Sequence, residues 1–175
     1  MTEQPQREEV NWLTDQEKEL WRDYLALEGR LHLEIQRDLK NSSSLTEPEF
    51  EVLVYLSEAD APLRMTALAE LLQWERSRLS HQVTRMVKRG LVQRTSCPDD
   101  GRGAFVSPTE EGMREIEKAA PDHVATVRRV FLDRLSDQDK QELARLLATV
   151  VRHPDGAGGS STNRNPGDTR VPSVA

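Results

Sequence analysis

The residues with the most chemical character are crowded into one stretch near the middle of the chain. Arg76, Arg78, Arg85, Lys88, Arg89 and Arg94 lie in a segment ending at Pro98 that contains no acidic residue. The whole chain carries −6, so everything outside that segment carries −12. A basic island on an acidic body suits contact with a polyanion, because a phosphate backbone responds to the face it meets rather than to net charge. Between the cations stand Ser77, Ser80, His81 and Gln82. Side chains of these types donate to phosphates and reach base edges, with arginine suited to guanine and glutamine to adenine.

Other chemistries find little support. There is no Gly-x-Ser-x-Gly elbow, no glycine-rich phosphate loop and no metal motif, so no enzyme is expected. His32, His81, His123 and His153 are scattered and have no cysteine or carboxylate at ligand spacing, so neither a metal nor a cofactor is expected. Cys97 is the single cysteine, which excludes an intramolecular disulfide framework. No stretch approaches the ~20 apolar residues of a membrane span. The first ten residues, MTEQPQREEV, have neither the basic start nor the apolar run of a secretory signal. A soluble, cytoplasmic protein of 175 residues, with mean hydropathy −0.68, is the expectation.

The elements that position the basic segment follow from capping signals and periodicity. Thr14 with Glu17 and Thr46 with Glu49 are capping-box pairs. They predict a long helix of about 26 residues and a second, shorter one carrying Phe50, Leu53, Val54 and Leu56 inward. After Ala59-Asp60-Ala61-Pro62, a short extended Leu63-Arg64-Met65 leads to a third helix, which Thr66 is expected to cap. A fourth helix is expected to be capped at Ser77 and stopped by Gly90. Leu79, Val83, Met86 and Val87 form its apolar face, and Arg78, His81, Gln82, Arg85 and Lys88 lie opposite. Two short helices joined by a tight turn, the second basic on its outside, make a helix-turn-helix. Leu91–Thr95 and Ala104–Ser107 then read as a hairpin, a wing. Thr109 opens a fifth helix, in which Pro121 predicts a kink or break, and Ser136 caps a sixth. The fold class is therefore mainly α with a small antiparallel β wing. Residues 1–10 and 153–175 read as disordered, the second through its Pro, Gly, Ser and Asn content.

The terminal helices carry more apolar surface than a small winged core can cover. A symmetric homodimer would bury those stripes, Trp21 among them, and would set two recognition helices about 34–36 Å apart on a pseudo-palindromic site.

Met65-Thr66-Ala67-Leu68-Ala69-Glu70-Leu71-Leu72, the run from Ser77 to Val92, Pro98-Asp99-Asp100-Gly101-Arg102-Gly103 and Thr109-Glu110-Glu111-Gly112 together resemble the multiple-antibiotic-resistance regulator (MarR) family. The resemblance covers roughly residues 12–152. Gly101 departs from a frequent arginine and Pro108 from the usual leucine. The resemblance implies a winged helix domain over 11–152, with a DNA-binding core at 45–107 and dimerisation helices at 11–40 and 109–152. It implies a homodimeric DNA-binding transcriptional regulator, most often a repressor relieved by a small-molecule effector, and double-stranded DNA as partner. On that reading Ser77, Arg78, Ser80, His81, Gln82 and Arg85 face the bases, and Thr66, Arg76 and Lys88 the phosphates. Arg102 at the wing tip suits the minor groove. The family pattern implies that Asp100 orients an arginine such as Arg85. His32, Trp74 and His123 are the candidates for lining an effector pocket between the terminal helices and the core. Cys97 falls in the wing, and two wings on separate DNA segments do not reach disulfide distance. A winged-helix protein-interaction module and a nonspecific architectural DNA binder are the alternative readings.

Overall fold

The computed structural model describes residues 10–97 and 100–151, without the side chains of Cys97 and residues 100–102. The expected arm and tail thus lie almost wholly outside the described residues. The elements run α1 (Asp15–Ser42), α2 (Glu47–Ser57), β1 (Leu63–Arg64), α3 (Met65–Leu72), α4 (Arg76–Lys88), β2 (Val92–Cys97), β3 (Asp100–Pro108), α5 (Glu110–Val130), a 3-10 turn (Leu132–Arg134) and α6 (Asp137–Val151). The mainly α, winged architecture expected from the sequence is present.

Helix starts follow the local chemistry in four of six cases. Glu17 Oε2 accepts from the Thr14 amide at 2.7 Å, and Glu49 Oε2 from the Thr46 amide at 2.9 Å, closing both predicted boxes. Thr109 Oγ1 accepts from the Gly112 amide at 3.0 Å and Ser136 Oγ from the Asp139 amide at 3.2 Å. The two helices of the helix-turn-helix behave differently. Arg64 is the N-cap of α3 and Glu75 that of α4, so Thr66 and Ser77 are second helical residues and not caps. Strand β1 fixes the first start, since Leu63 pairs with Val106 and Arg64 with Phe105, and the chain turns straight into helix. Gln73 at φ 52° ends α3 abruptly, which brings α4 in two residues earlier than expected.

The core lies between α2, α3, α4 and the three-stranded sheet β1-β3-β2. Val52, Leu53, Leu68, Leu79, Val83, Met86 and Val106 are completely enclosed there. Gly90, at φ 73°, makes the left-handed exit from α4 that a side chain would strain. The Leu91 carbonyl accepts from the Thr109 amide at 3.1 Å, and a Cβ on Gly112 would lie 2.1 Å from that same oxygen. The start of α5 therefore sits directly on the backbone after α4.

Helix α5 is continuous through Pro121, with no break. Both Pro121 and Glu117, whose carbonyl the proline leaves unpaired, are exposed, so water meets the freed acceptor. The helix is also clamped to α1 beyond the proline, by Thr126 donating to Asp38 and by Arg129 donating to Glu34 at 3.1 Å. Its buried face is Gly112, Glu115, Ile116, Ala119, Thr126 and Val130. Of the apolar stripe that helical spacing picks out, Met113, Ile116, Ala120, Val124, Val127, Phe131 and Leu135, only Ile116 is buried and the rest are half-buried. Two polar residues enter the interior because each has a hydrogen-bonding partner, which periodicity does not register.

Candidate nucleic-acid interface

Helix α4 is held by one face and displayed by the other. Leu79, Val83 and Met86 anchor it, while Arg76, Ser77, Arg78, His81, Arg85 and Lys88 are exposed and Ser80 is half-buried. None of the cations Arg76, Arg78, Arg85 and Lys88 forms an ion pair with a described carboxylate, so their charge is available to a ligand. Gln82 corrects the expectation of an exposed base reader. It is 3% exposed, and its Oε1 accepts from the Arg85 guanidinium. The position falls on the flank of the apolar face, where the amide serves to aim Arg85. Arg78 is aimed by packing, its guanidinium 4.0 Å from the centre of the Trp74 ring.

A second basic feature opens beside the helix. Arg64, Thr66, Arg76, Ser80 and Arg94 line a cleft of about 280 Å³ between the starts of α3 and α4 and the sheet. Sequence reasoning assigned no contact to Arg64 or Arg94. Both lie on strands that flank β3, Arg64 paired with Phe105 and Arg94 with Val106. Only the predicted third strand, β1, offered a signal for this in the sequence. Asp100 and Arg102 belong to β3, beside a register irregularity at Ser96/Cys97, and their side chains lie outside the described residues. The expected Asp100–Arg85 contact lies outside them as well.

Arg89, counted in the basic island, has a different task. It pairs with Glu49, which is 4% exposed, and donates to the Ser44 carbonyl at 2.9 Å. The Ser44 amide in turn donates to Glu115 at 2.8 Å, and Lys118 also donates to that carboxylate. These bonds, from Lys118 and Ser44, hold the Glu115 carboxyl down to about 2. The chain of contacts ties the end of α4 to the α1–α2 corner and to α5.

A cavity of about 470 Å³ lies where α1, α2 and α5 meet. Ile35, Phe50, Val54, Val124, Val127 and Leu132 form apolar walls, and Glu47, Glu51, Tyr55, His123 and Arg128 supply polar groups. His123 is where the sequence placed it. Its ring lies 4.6 Å from that of Phe50, its Nδ1 is buried without a partner, and burial pushes its pKa down. Burial, and then the charge of Glu47, push the Glu51 carboxyl up. His32 stands one layer behind, its Nδ1 2.9 Å from Glu47 Oε1. Trp74 is not part of this cavity; it packs against the core beneath Arg78. No group of three or more His, Cys, Asp or Glu among the described residues is placed to hold a metal. No described helix is long and apolar enough to cross a membrane.

Comparison with known proteins fits this geometry. The MarR family model matches residues 45–103. The transcriptional regulator HosA of Escherichia coli is 34% identical over 108 residues, 61% of this chain and 78% of that protein. The crystal structure of AbsC, a MarR family transcriptional regulator from Streptomyces coelicolor, is 41% identical, covers 82% of this chain and 97% of its own, and superposes with a TM-score of 0.77. Sco3205, a MarR family regulator from the same organism solved in complex with DNA, is 36% identical, covers 86% and 97%, and gives 0.79.

Proposed function

The chain belongs to the MarR family of transcriptional regulators, and from that premise we propose a sequence-specific repressor that binds a pseudo-palindromic operator as a homodimer and releases it when a small molecule binds. The observation that carries DNA binding is the outer face of α4, where exposed cations without ion-pair partners surround Ser77, Ser80 and His81. Arg78, His81 and Arg85 are assigned to base edges, and Thr66, Arg76 and Lys88, with the cleft residues Arg64 and Arg94, to phosphates. Arg102 is assigned to the minor groove beside the wing.

Dimerisation is supported by what one chain leaves uncovered. Helix α6 has no buried residue, and Leu146, Leu147, Val150 and Val151 are all exposed. Trp12, Leu20, Trp21 and Tyr24 are exposed at the other terminus. The proposed division is a DNA-binding core over 45–107, with residues 11–40 and 109–152 joining two copies. The cavity between α1, α2 and α5 is the proposed effector site, since a ligand there touches both the core and the joining helices. An effector that prefers a different spread of the two α4 helices lowers operator affinity by its preference ratio, about 1–3 kcal/mol.

Selecting sites from a random duplex library at about 150 mM salt tests this reading. Enrichment of one inverted repeat with half-sites about one helical turn apart is expected. Retention without enrichment would indicate an architectural binder, and no retention a protein-interaction module.

A further inference from the structure

The cavity between α1, α2 and α5 has an electrostatic character that decides what it can hold. Its polar groups are not equally free. The Arg128 guanidinium donates to Asp133 at 2.7 Å, so the one cation on the wall is already neutralised. Glu47 is held from α1, by His32 at 2.9 Å and by Gln36 Nε2 at 3.2 Å. Glu51, one turn along α2, has no hydrogen bond or ion pair with any described residue; the charges of Arg78 and His32, both outside the cavity lining, favour its ionised form less than burial and Glu47 oppose it. His123 is kept uncharged at neutral pH by its burial and so offers no positive charge to an anion.

From the free Glu51 carboxylate on an apolar cavity whose only arginine is spent, we infer that the site takes an amphipathic organic cation: an aromatic or aliphatic body bearing a protonated amine. The apolar body fills the space against Ile35, Val54, Val127 and Leu132, and the ammonium meets Glu51 at the mouth. Tyr55 lines the same wall, and an aromatic ring is a neighbour that also favours a cation. An organic anion of the same shape would face two carboxylates and find no free cation among the described lining residues. This inference rests on the reading that an effector occupies the cavity, and it adds the ligand's charge.

Titrating the full-length protein with naphthylethylamine and, separately, with naphthylacetate tests it by calorimetry. Operator release is followed in parallel by fluorescence anisotropy. The amine is expected to bind at least about tenfold more tightly than the carboxylate, and Glu51→Gln to remove that preference. Glu51→Lys is expected to reverse it. Both substitutions lie at an exposed position, so folding should tolerate them. A carboxylate that binds as well as or better than the amine overturns the inference, as does a preference unchanged in Glu51→Gln or binding of neither probe. An amine that binds through Glu51 without releasing operator upholds the ligand class and defeats the effector reading. A carboxylate that binds and releases operator does the opposite.

Discussion

The two ends of this molecule treat apolar surface in opposite ways. In the winged core, three of the four residues on the apolar face of α4, Leu79, Val83 and Met86, are fully covered by the same chain, and only Val87, expected on that face, is left exposed at its edge. In α6 the period is equally clear, yet nothing is buried, and Leu147 and Val151 face outward. The outer half of α1 repeats the pattern, with Trp21 and Tyr24 stacked on each other, ring centres 5.4 Å apart, and both about half exposed. Apolar side chains exposed together along one helix mark a surface that something covers. One end is complete in a single chain, and the other leaves exposed the apolar surface that the proposed second copy would cover.

Breaking that contrast should have the largest consequence at the incomplete end. Leu147→Asp puts a charge into the proposed interface and is expected to raise the dimer dissociation constant about a hundredfold or more. Operator affinity should fall with it, because each chain then meets only one half-site. Light scattering beside anisotropy checks both, and a variant that stays dimeric would remove α6 from the interface. In the complete end, the most damaging small change is Gly112→Ala, whose Cβ would meet the Leu91 carbonyl at 2.1 Å. A loss of about 3 kcal/mol in denaturant unfolding is expected, with no change in the residues that meet DNA.

Arg85 and Arg89 sharpen the comparison within one helix. They are one turn apart and identical in type, but Arg85 is partnered by the neutral Gln82 and Arg89 by the buried carboxylate Glu49. Arg85→Ala is expected to weaken specific binding by about 1–3 kcal/mol and to leave thermal stability nearly unchanged. Arg89→Ala leaves the buried Glu49 carboxylate without its cation, held by Thr46 alone, and should cost about 1–3 kcal/mol of folding stability. Equal effects of the two substitutions on DNA binding, at equal stability, would show that the assignment of roles is wrong.

Much of this arrangement is legible in the sequence because it is local. Capping boxes at Thr14 and Thr46, the glycine exit at Gly90 and the 3.6-residue period of α4 depend on neighbours a few positions away. What escaped depends on distant pairings. The starts of α3 and α4 are set by β1 joining β3 and by the left-handed Gln73, not by the hydroxyls of Thr66 and Ser77. Gln82 was read as exposed because it is polar, whereas it lies on the boundary of the packed face. Arg89 and Glu49 are 40 residues apart, and no spacing rule connects them. Trp74, read as a candidate for the pocket, belongs instead to the support of Arg78.

The smallest expected effect concerns the joint between the two ends. Glu115 on α5 accepts from the Ser44 amide and from Lys118, which favour its charged form and hold its carboxyl at about 2. A carboxyl depressed by folding contributes stability that is fully present above its unfolded value, near 4.5, and is lost as the pH falls toward 2. Thermal melts between pH 5 and 2 (an interval set by those two values) should therefore decline more steeply in the native protein than in Glu115→Gln. At pH 7 the glutamine variant should be the less stable of the two, because an amide oxygen accepts from Ser44 more weakly than a carboxylate does. The two melting curves should approach each other on acidification. Parallel curves would mean that Ser44 and Lys118 bind the charged and neutral forms equally, and that the α1–α2 corner is fastened to α5 by packing alone.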